Sequence, residues 1–321
     1  MKTALICGIT GQDGAYLAKH LLKKGYAVFG SSRDAQRANM QNLERIGISS
    51  DVNLVSMAPN DFRSVLDTLV RSKPDEVYYL AGQSSVGLSF EQPSETLESI
   101  TFGTLNLLEA IRFLDVPIKL YHASSSECYG DLGEESAIEE MPFRPRSPYA
   151  IAKASAHWLI VNYREAYGMF SCNGILFNHE SPLRPERFVT KKIISSACRI
   201  ANGSSEKLKL GRLDIIRDWG WAPEYVDAMW RMLQQEKPED YIIATGKSYS
   251  LEEFVKEAFF SLSLNWEEHV SIDKTIYRPT DIFRNKGNPA YAEKELGWKA
   301  AVFMPDVVKN MIKAEMESSL D

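Results

Sequence analysis

The chain has 321 residues, 44% hydrophobic and 25% charged, enough for one large domain or two coupled ones around a sizeable core. A formal net charge of −6 and a pI near 5.6 exclude a nucleic-acid-binding or anionic-membrane surface, which needs a basic excess. No apolar run reaches the roughly 18 residues of a membrane span, and MKTALICGIT carries no signal-peptide cleavage pattern, so a cytoplasmic protein with no membrane partner is expected. Cys7, Cys128, Cys172 and Cys198 form no CxxC pair and read as free thiols; the five histidines lack metal-ligand spacing, so no metal is expected.

From the N-terminus, TALIC reads as a strand, GAYLAKHLLKKG as a helix ending at Gly25, and YAVFGSS as a second strand. NLVSM, EVYYLAG, IKLYHASS and CNGILFN follow as strands, alternating with the helical patterns FRSVLDTLVRS, TFGTLNLLEAIRFL and SPYAIAKASAHWLIVNYREAYG. This βαβα rhythm predicts an α/β fold, a Rossmann-type doubly wound parallel sheet with helices on both faces. After Asn178 the pattern loosens. The turn ESPLRPERF leads to a helix VTKKIISSACRIANG, then a helix EYVDAMWRMLQQ and a last sheet strand DYIIATG. LEEFVKEAFFSL and MPDVVKNMIKAEMESS complete a smaller, discontinuous α/β part expected to bind substrate. The expected division is 1–178 plus 214–246 for the dinucleotide and 179–213 plus 247–321 for the substrate, which would bind at their interface.

Three features carry chemistry. CGITGQDGAYLA places Gly8, Gly11 and Gly14 between the first strand and the first helix, where glycine lets backbone N–H groups approach a pyrophosphate. Thr10, Gln12 and Asp13 in that turn, and Leu80 and Ala81 at the end of the fourth strand, join the expected cofactor contacts. At the end of the second strand an acid would suit the ribose of NAD and an arginine the 2′-phosphate of NADP. Ser31, Ser32 and Arg33 favour NADP, with NAD possible because Asp34 follows. Finally, Tyr149 and Lys153 lie four apart on one helix face, where the cation is expected to lower the phenol pKa so that it can take a proton from a sugar hydroxyl.

HASSSECYG sets a carboxylate among hydroxyls at the C-terminal end of a strand, where open α/β sheets bind ligands. On its residues alone Glu127 serves either as a catalytic group or as a partner for Arg144 or Arg146. Ser124 and Ser126 are expected to satisfy local backbone groups.

The glycine turn, the end of the second strand and Tyr-x-x-x-Lys together resemble the extended short-chain dehydrogenase/reductase family. GQSSVGLSFEQP, FRPRSPYAIAK, GILFNHESPLR, FVTKKI, RDWGWAPEYVDAMWRMLQQ and RPTD, spread up to Asp281, are similar to the signatures of its GDP-mannose 4,6-dehydratases. The resemblance implies that Ser125, Glu127, Tyr149 and Lys153 are catalytic, with Tyr149 and Lys153 also touching the cofactor. In that chemistry Tyr149 takes the C4 hydroxyl proton while hydride moves to NADP, Ser125 donates to the C4 oxygen, and Glu127 removes the C5 proton as water leaves C6. The resemblance also assigns GDP-mannose or a related GDP-sugar to Gln83, Ser84, Ser85, Asn178, Lys192, Arg217, Arg278 and Asp281, with Arg187 and Arg212 as weaker matches. It further implies a homodimer or homotetramer through the helices around Thr101–Leu114 and Tyr149–Tyr167.

The chain departs from the family pattern at two places. Ala58 and Pro59 replace an Asp-Leu pair that contacts adenine, a loss of about 1 kcal/mol unless Asn60 or Asp61 substitutes. Asp34 replaces a second arginine, which weakens the case for NADP and for a tetramer. The competing readings are a GDP-4-keto-6-deoxy-sugar reductase, which needs no Glu127, a dehydratase for another GDP-sugar such as a heptose, and a non-catalytic dinucleotide binder.

Overall fold

The computed structural model describes residues 1–318. Residues 319–321, the end of the expected substrate part, lie outside the described residues. Six strands, β1 (Thr3–Cys7), β2 (Ala27–Ser32), β3 (Asn53–Ser56), β4 (Glu76–Tyr79), β5 (Lys119–Ser125) and β6 (Ser171–Leu176), form a parallel sheet with a seventh, Tyr241–Ile243. The order is Tyr241–Ile243, β6, β5, β4, β1, β2, β3. Chain direction reverses its progress across the sheet between β1 and β4, and the ligand crevice of such sheets opens at the carboxyl ends beside that point. The central strands are apolar on both faces because helices cover both; β6 is buried along its whole length.

Helix α1 (Gln12–Lys23) packs against the helix Ala222–Gln234 through one apolar core that includes Leu17, Leu21, Val226 and Met229. On the opposite face Phe62–Ser72, Gly103–Leu114 and Pro148–Tyr167 share a core with β1 and β4. The helix predicted from Thr101 begins with a π turn at Glu98–Phe102. Pro148 occupies the first turn of the longest helix and Ser147 caps it, its hydroxyl accepting from the Ala150 N–H at 3.1 Å.

A second, smaller sheet gathers Ser248–Ser250, Ile216–Trp221, Arg284–Asn285 and Asn178–Glu180, and a two-stranded ribbon pairs Leu208–Leu210 with Val270–Ile272. The helices Val189–Ala201, Leu251–Phe260 and Met304–Ser318 enclose a separate core around Trp219, Phe254 and Met311. The expected doubly wound sheet with a discontinuous smaller α/β part is therefore present. The short strands of the second part escaped prediction because two or three residues hold too little periodicity to read. Among the described residues no helix is long and apolar enough to cross a membrane.

Candidate active site

The glycine turn forms a cradle because it has no room for side chains. Gly8 has φ +88°, and a Cβ on Gly14 would meet the Gly8 carbonyl oxygen at 2.3 Å and the Ile9 Cα at 2.6 Å. Gly11 precedes α1 and offers no side-chain cap, so the first-turn N–H groups of α1 remain available to an anion. These residues fit a dinucleotide's diphosphate.

At the end of β2, Arg33 is 84% exposed, its nearest carboxylate Glu95 at 3.8 Å. The Asp34 carboxylate accepts from the Gln36 N–H at 2.9 Å and faces Arg37, so it is turned onto its own loop. Near the adenine departure, the Ala58 N–H donates to Ser64 Oγ and Asp61 caps the helix Phe62–Ser72. One oxygen of the Asp61 carboxylate is thus engaged by the backbone.

A cleft of about 430 Å³ opens between the two sheets. Its lining brings together Asp13, Leu80, Ser84, Ser85, Ser125, Glu127, Tyr149, Lys153, Asn178, Lys192, Arg217, Arg278 and Asp281. Gly8, Thr10, Gly11, Gln12, Gly14, Ser32, Arg33 and Ala81 lie outside that lining, on the glycine turn, the end of β2 and the end of β4. Gln83 does not reach the cleft. Its amide folds back on the loop, accepting from the Ser85 N–H and donating to the Ser85 carbonyl and Thr96 Oγ1, and Ser85 caps the next helix.

Ser125 ends β5 and begins a 3₁₀ turn, Ser126–Tyr129, in which the Glu127 N–H donates to Ser125 Oγ at 3.3 Å. That turn swings Glu127 into the cleft, and among the described residues no ion pair engages its carboxylate within 4.0 Å. The pairing with Arg144 or Arg146 considered above is not made.

Tyr149 and Lys153 are both nearly buried, and burial dominates the titration of each. The Lys153 ammonium donates to the Ala123 carbonyl at 2.7 Å and sits 5.9 Å from the Tyr149 ring centre. Burial pushes the Tyr149 phenol well above its ordinary range, with the Ser125 hydroxyl pulling the other way. Burial brings Lys153 down to about 8 against the attraction of Cys128 and Asp13. The helical spacing was legible in sequence; the carbonyl that claims the lysine was not.

Cations ring the outer cleft: Arg184, Arg187, Lys192, Arg212, Arg217 and Arg278. Burial lowers the Arg217 guanidinium, and Asp281 stands between Arg217 (3.9 Å) and Arg278 (3.8 Å) as a shared counter-charge. Sequence reading passed over Arg184 and His179, although both lie in the quoted run NHESPLR. His179 Nε2 meets Asp13 at 2.9 Å; burial disfavours the charged ring, but the Asp13 carboxylate outweighs it and raises the His179 pKa. Gln12 Nε2 donates to the His179 carbonyl and Ser181 Oγ donates to Gln12 Oε1, so the glycine turn is stitched to the substrate side of the cleft.

The family model of GDP-mannose 4,6 dehydratase matches residues 5–311. The chain belongs to the GDP-mannose 4,6-dehydratase family. Within this dehydratase family it is 47% identical to GDP-mannose 4,6 dehydratase 1 of Arabidopsis thaliana, over 98% of the chain and 90% of the relative. It is 41% identical to the GDP-mannose 4,6-dehydratase of Vibrio cholerae serotype O1, over 99% and 94%. Among solved structures, a dTDP-glucose 4,6-dehydratase from Bacillus anthracis in complex with NAD superposes with a TM-score of 0.87 at 19% identity, covering 100% of this chain and 98% of that one. RMD from Pseudomonas aeruginosa complexed with NADPH gives 0.81 at 22%, covering 99% and 100%. These two likenesses establish the shared fold of the dehydratase family member.

Proposed function

We propose that this protein converts GDP-mannose to GDP-4-keto-6-deoxymannose by loss of one water, with NADP as its cofactor. The observation that carries the reading is Glu127, with no ion pair within 4.0 Å among the described residues, on the cleft wall with Ser125 and Tyr149. Tyr149 takes the proton of the C4 hydroxyl and Ser125 donates to the C4 oxygen as the carbonyl develops. The C4 carbonyl acidifies the C5 proton. Glu127 removes that proton and protonates the departing C6 hydroxyl, which leaves as water. The glycine turn at Gly8, Gly11 and Gly14 together with Arg33 would hold NADP, which when bound would supply a hydride acceptor at C4, a hydride donor at C6 and a positive charge opposing the effect of burial on Tyr149; the proton that Tyr149 took from the C4 hydroxyl returns to C5. The cations of the outer cleft, Arg217, Arg278 and Lys192 among them, match a nucleotide diphosphate.

Preference for NADP is supported by exposed Arg33 and by the self-engaged Asp34 carboxylate. The division into a cofactor part, 1–178 with 214–246, and a substrate part is supported by the helix Ala222–Gln234 on α1 and the strand Tyr241–Ile243 beside β6. A homodimer is supported by exposed Phe113 and Trp158 on the two helices expected to associate, and a cytoplasmic setting by four free, buried cysteines.

The deciding assay incubates wild type and Glu127→Gln with GDP-mannose and catalytic NADP and weighs the sugar nucleotide by mass spectrometry. Loss of one water in the wild type alone, without net cofactor reduction, is expected. Consumption of NADPH on a 4-keto-6-deoxy sugar nucleotide, with GDP-mannose unchanged, would replace the reading with a reductase. Water loss only from a GDP-heptose would move the substrate and keep the chemistry.

A further inference from the structure

Three successive residues of β5 clasp three residues of the helix Pro148–Tyr167 that are spaced four apart. Ser125 acts on the Tyr149 phenol, the Ala123 carbonyl takes the Lys153 ammonium at 2.7 Å, and Ser124 Oγ lies 3.2 Å from His157 Nδ1. Positions i, i+4 and i+8 share a helix face, so the third contact continues the line of the first two. Nothing in the dehydration chemistry above uses it.

The third contact is also the most strongly braced. His157 Nε2 stands 3.6 Å from Asp240 Oδ2, and the His157 ring meets Phe143 edge to face with centres 4.7 Å apart. Asp240 in turn accepts both Arg164 nitrogens at 2.8 and 2.9 Å, and the Asn173 N–H at 2.7 Å. Asn173 Nδ2 donates to the His157 carbonyl at 3.3 Å, and Asn173 Oδ1 meets His122 Nδ1 at 2.9 Å. Asp240 therefore faces the Nε2 edge of the ring within ion-pair range, while the Nδ1 edge shares a hydrogen bond with the Ser124 hydroxyl. The network therefore joins β5, β6, the helix and the approach to Tyr241–Ile243 directly behind the proposed catalytic residues.

We infer that His157, held by Asp240, is a positioning residue for the dehydration: through Ser124 it keeps Ser125 in register with Tyr149. This rests on the reaction proposed above for its turnover assay, whereas its second readout is independent of that reaction. The Ser125 hydroxyl lowers the phenol pKa only while the two elements keep their offset, and a displacement on the order of 1 Å is enough to cost catalysis heavily.

The test compares wild type with His157→Phe, which keeps an aromatic ring against Phe143 and removes both nitrogens, with Ser124→Ala, and with the double variant. Expected are a kcat for water loss lower by about tenfold or more, an unchanged KM for GDP-mannose, and a double variant no worse than His157→Phe. The second readout is the tyrosinate absorbance of Tyr149 in the NADP complex, where the cofactor charge opposes the effect of burial, taken as the difference from a Tyr149→Phe background; its midpoint should rise in His157→Phe. His157→Gln, which retains an acceptor for Ser124, should restore part of both. Wild-type kcat and an unmoved phenol midpoint in His157→Phe would overturn the inference, as would equal losses in kcat and KM or a fall in thermal stability alone. If wild type leaves GDP-mannose untouched while the phenol midpoint still answers to His157, the substrate reading fails and the positioning role stands.

Discussion

Asp34 illustrates how one residue read from sequence can mislead about its neighbours. An acid just past the second strand suggests a ribose ligand, yet its carboxylate accepts from the Gln36 N–H and faces Arg37, so the proposed 2′-phosphate contact falls to Arg33. Arg33→Ala should therefore weaken NADP binding by about tenfold to a hundredfold and leave NAD affinity unchanged, as read by fluorescence titration with each dinucleotide. A parallel loss for both cofactors would remove Arg33 from the 2′-phosphate. In the substrate cleft, Arg217→Met should raise the KM for GDP-mannose by a similar factor and spare kcat, because the guanidinium is buried and faces the cleft. At this scale the meeting of Ser125, Glu127, Tyr149 and Lys153 in one cleft was legible because a strand end and helical spacing are written locally, whereas the parts proposed for Ser125 and Glu127 came from the family resemblance. Gln83 was not, since its fold-back onto Ser85 and Thr96 depends on a loop path that no period encodes. Nor was the Asp13–His179 pair, whose members are 166 residues apart.

Among the elements, the glycine turn and α1 make one unit whose tolerance is set by backbone rather than side chains. Gly14→Ala would drive a methyl into the Gly8 carbonyl and the Ile9 Cα, neither of which is a flexible side-chain end. The expected outcome is loss of cofactor binding with destabilisation of about 1–3 kcal/mol, followed by dinucleotide titration and thermal melting. Normal affinity in that variant would mean that the turn relaxes and is not the diphosphate cradle. The strands of the main sheet and the long helices were readable since apolar runs and 3.6-residue spacing persist through them. The second sheet was less so: Asn178–Glu180, Ser248–Ser250 and Arg284–Asn285 gain strand geometry only from pairing around Ile216–Trp221. Short strands of this kind are assigned by tertiary context, and the cleft depends on them.

For the whole molecule, acid sensitivity follows from His157 and His122, whose pKa values burial lowers. Burial lowers the His157 pKa from 6.5 to about 4, so the folded protein binds fewer protons than the unfolded chain between those values. Stability attributable to His157 is then complete above pH 6.5 and is lost as pH falls toward 4, a contribution of roughly 3 kcal/mol at most. Melting temperatures across that range should fall steeply for wild type and less steeply for His157→Phe, with the remaining slope left to groups such as His122. Identical slopes would show that the ring is already charged in the fold. Assembly is testable in the same preparations: Phe113→Glu with Trp158→Glu should turn a dimer into monomers by sedimentation, since both rings are largely exposed on the helices expected to associate. A monomeric wild type would end that expectation. The path of the chain has a further effect, on synthesis. The wholly buried strand β6 finds its outer neighbour only in Tyr241–Ile243, after the chain has left the main sheet, built part of the second and returned along the helix Ala222–Gln234. A nascent chain paused anywhere between Leu176 and Tyr241 thus presents β6 as an edge with unpaired backbone and its Asn173 without the Asp240 partner, a form prone to wrong pairing. Translation speed through that interval, and chaperone access to it, should govern soluble yield more than any substitution on the finished surface.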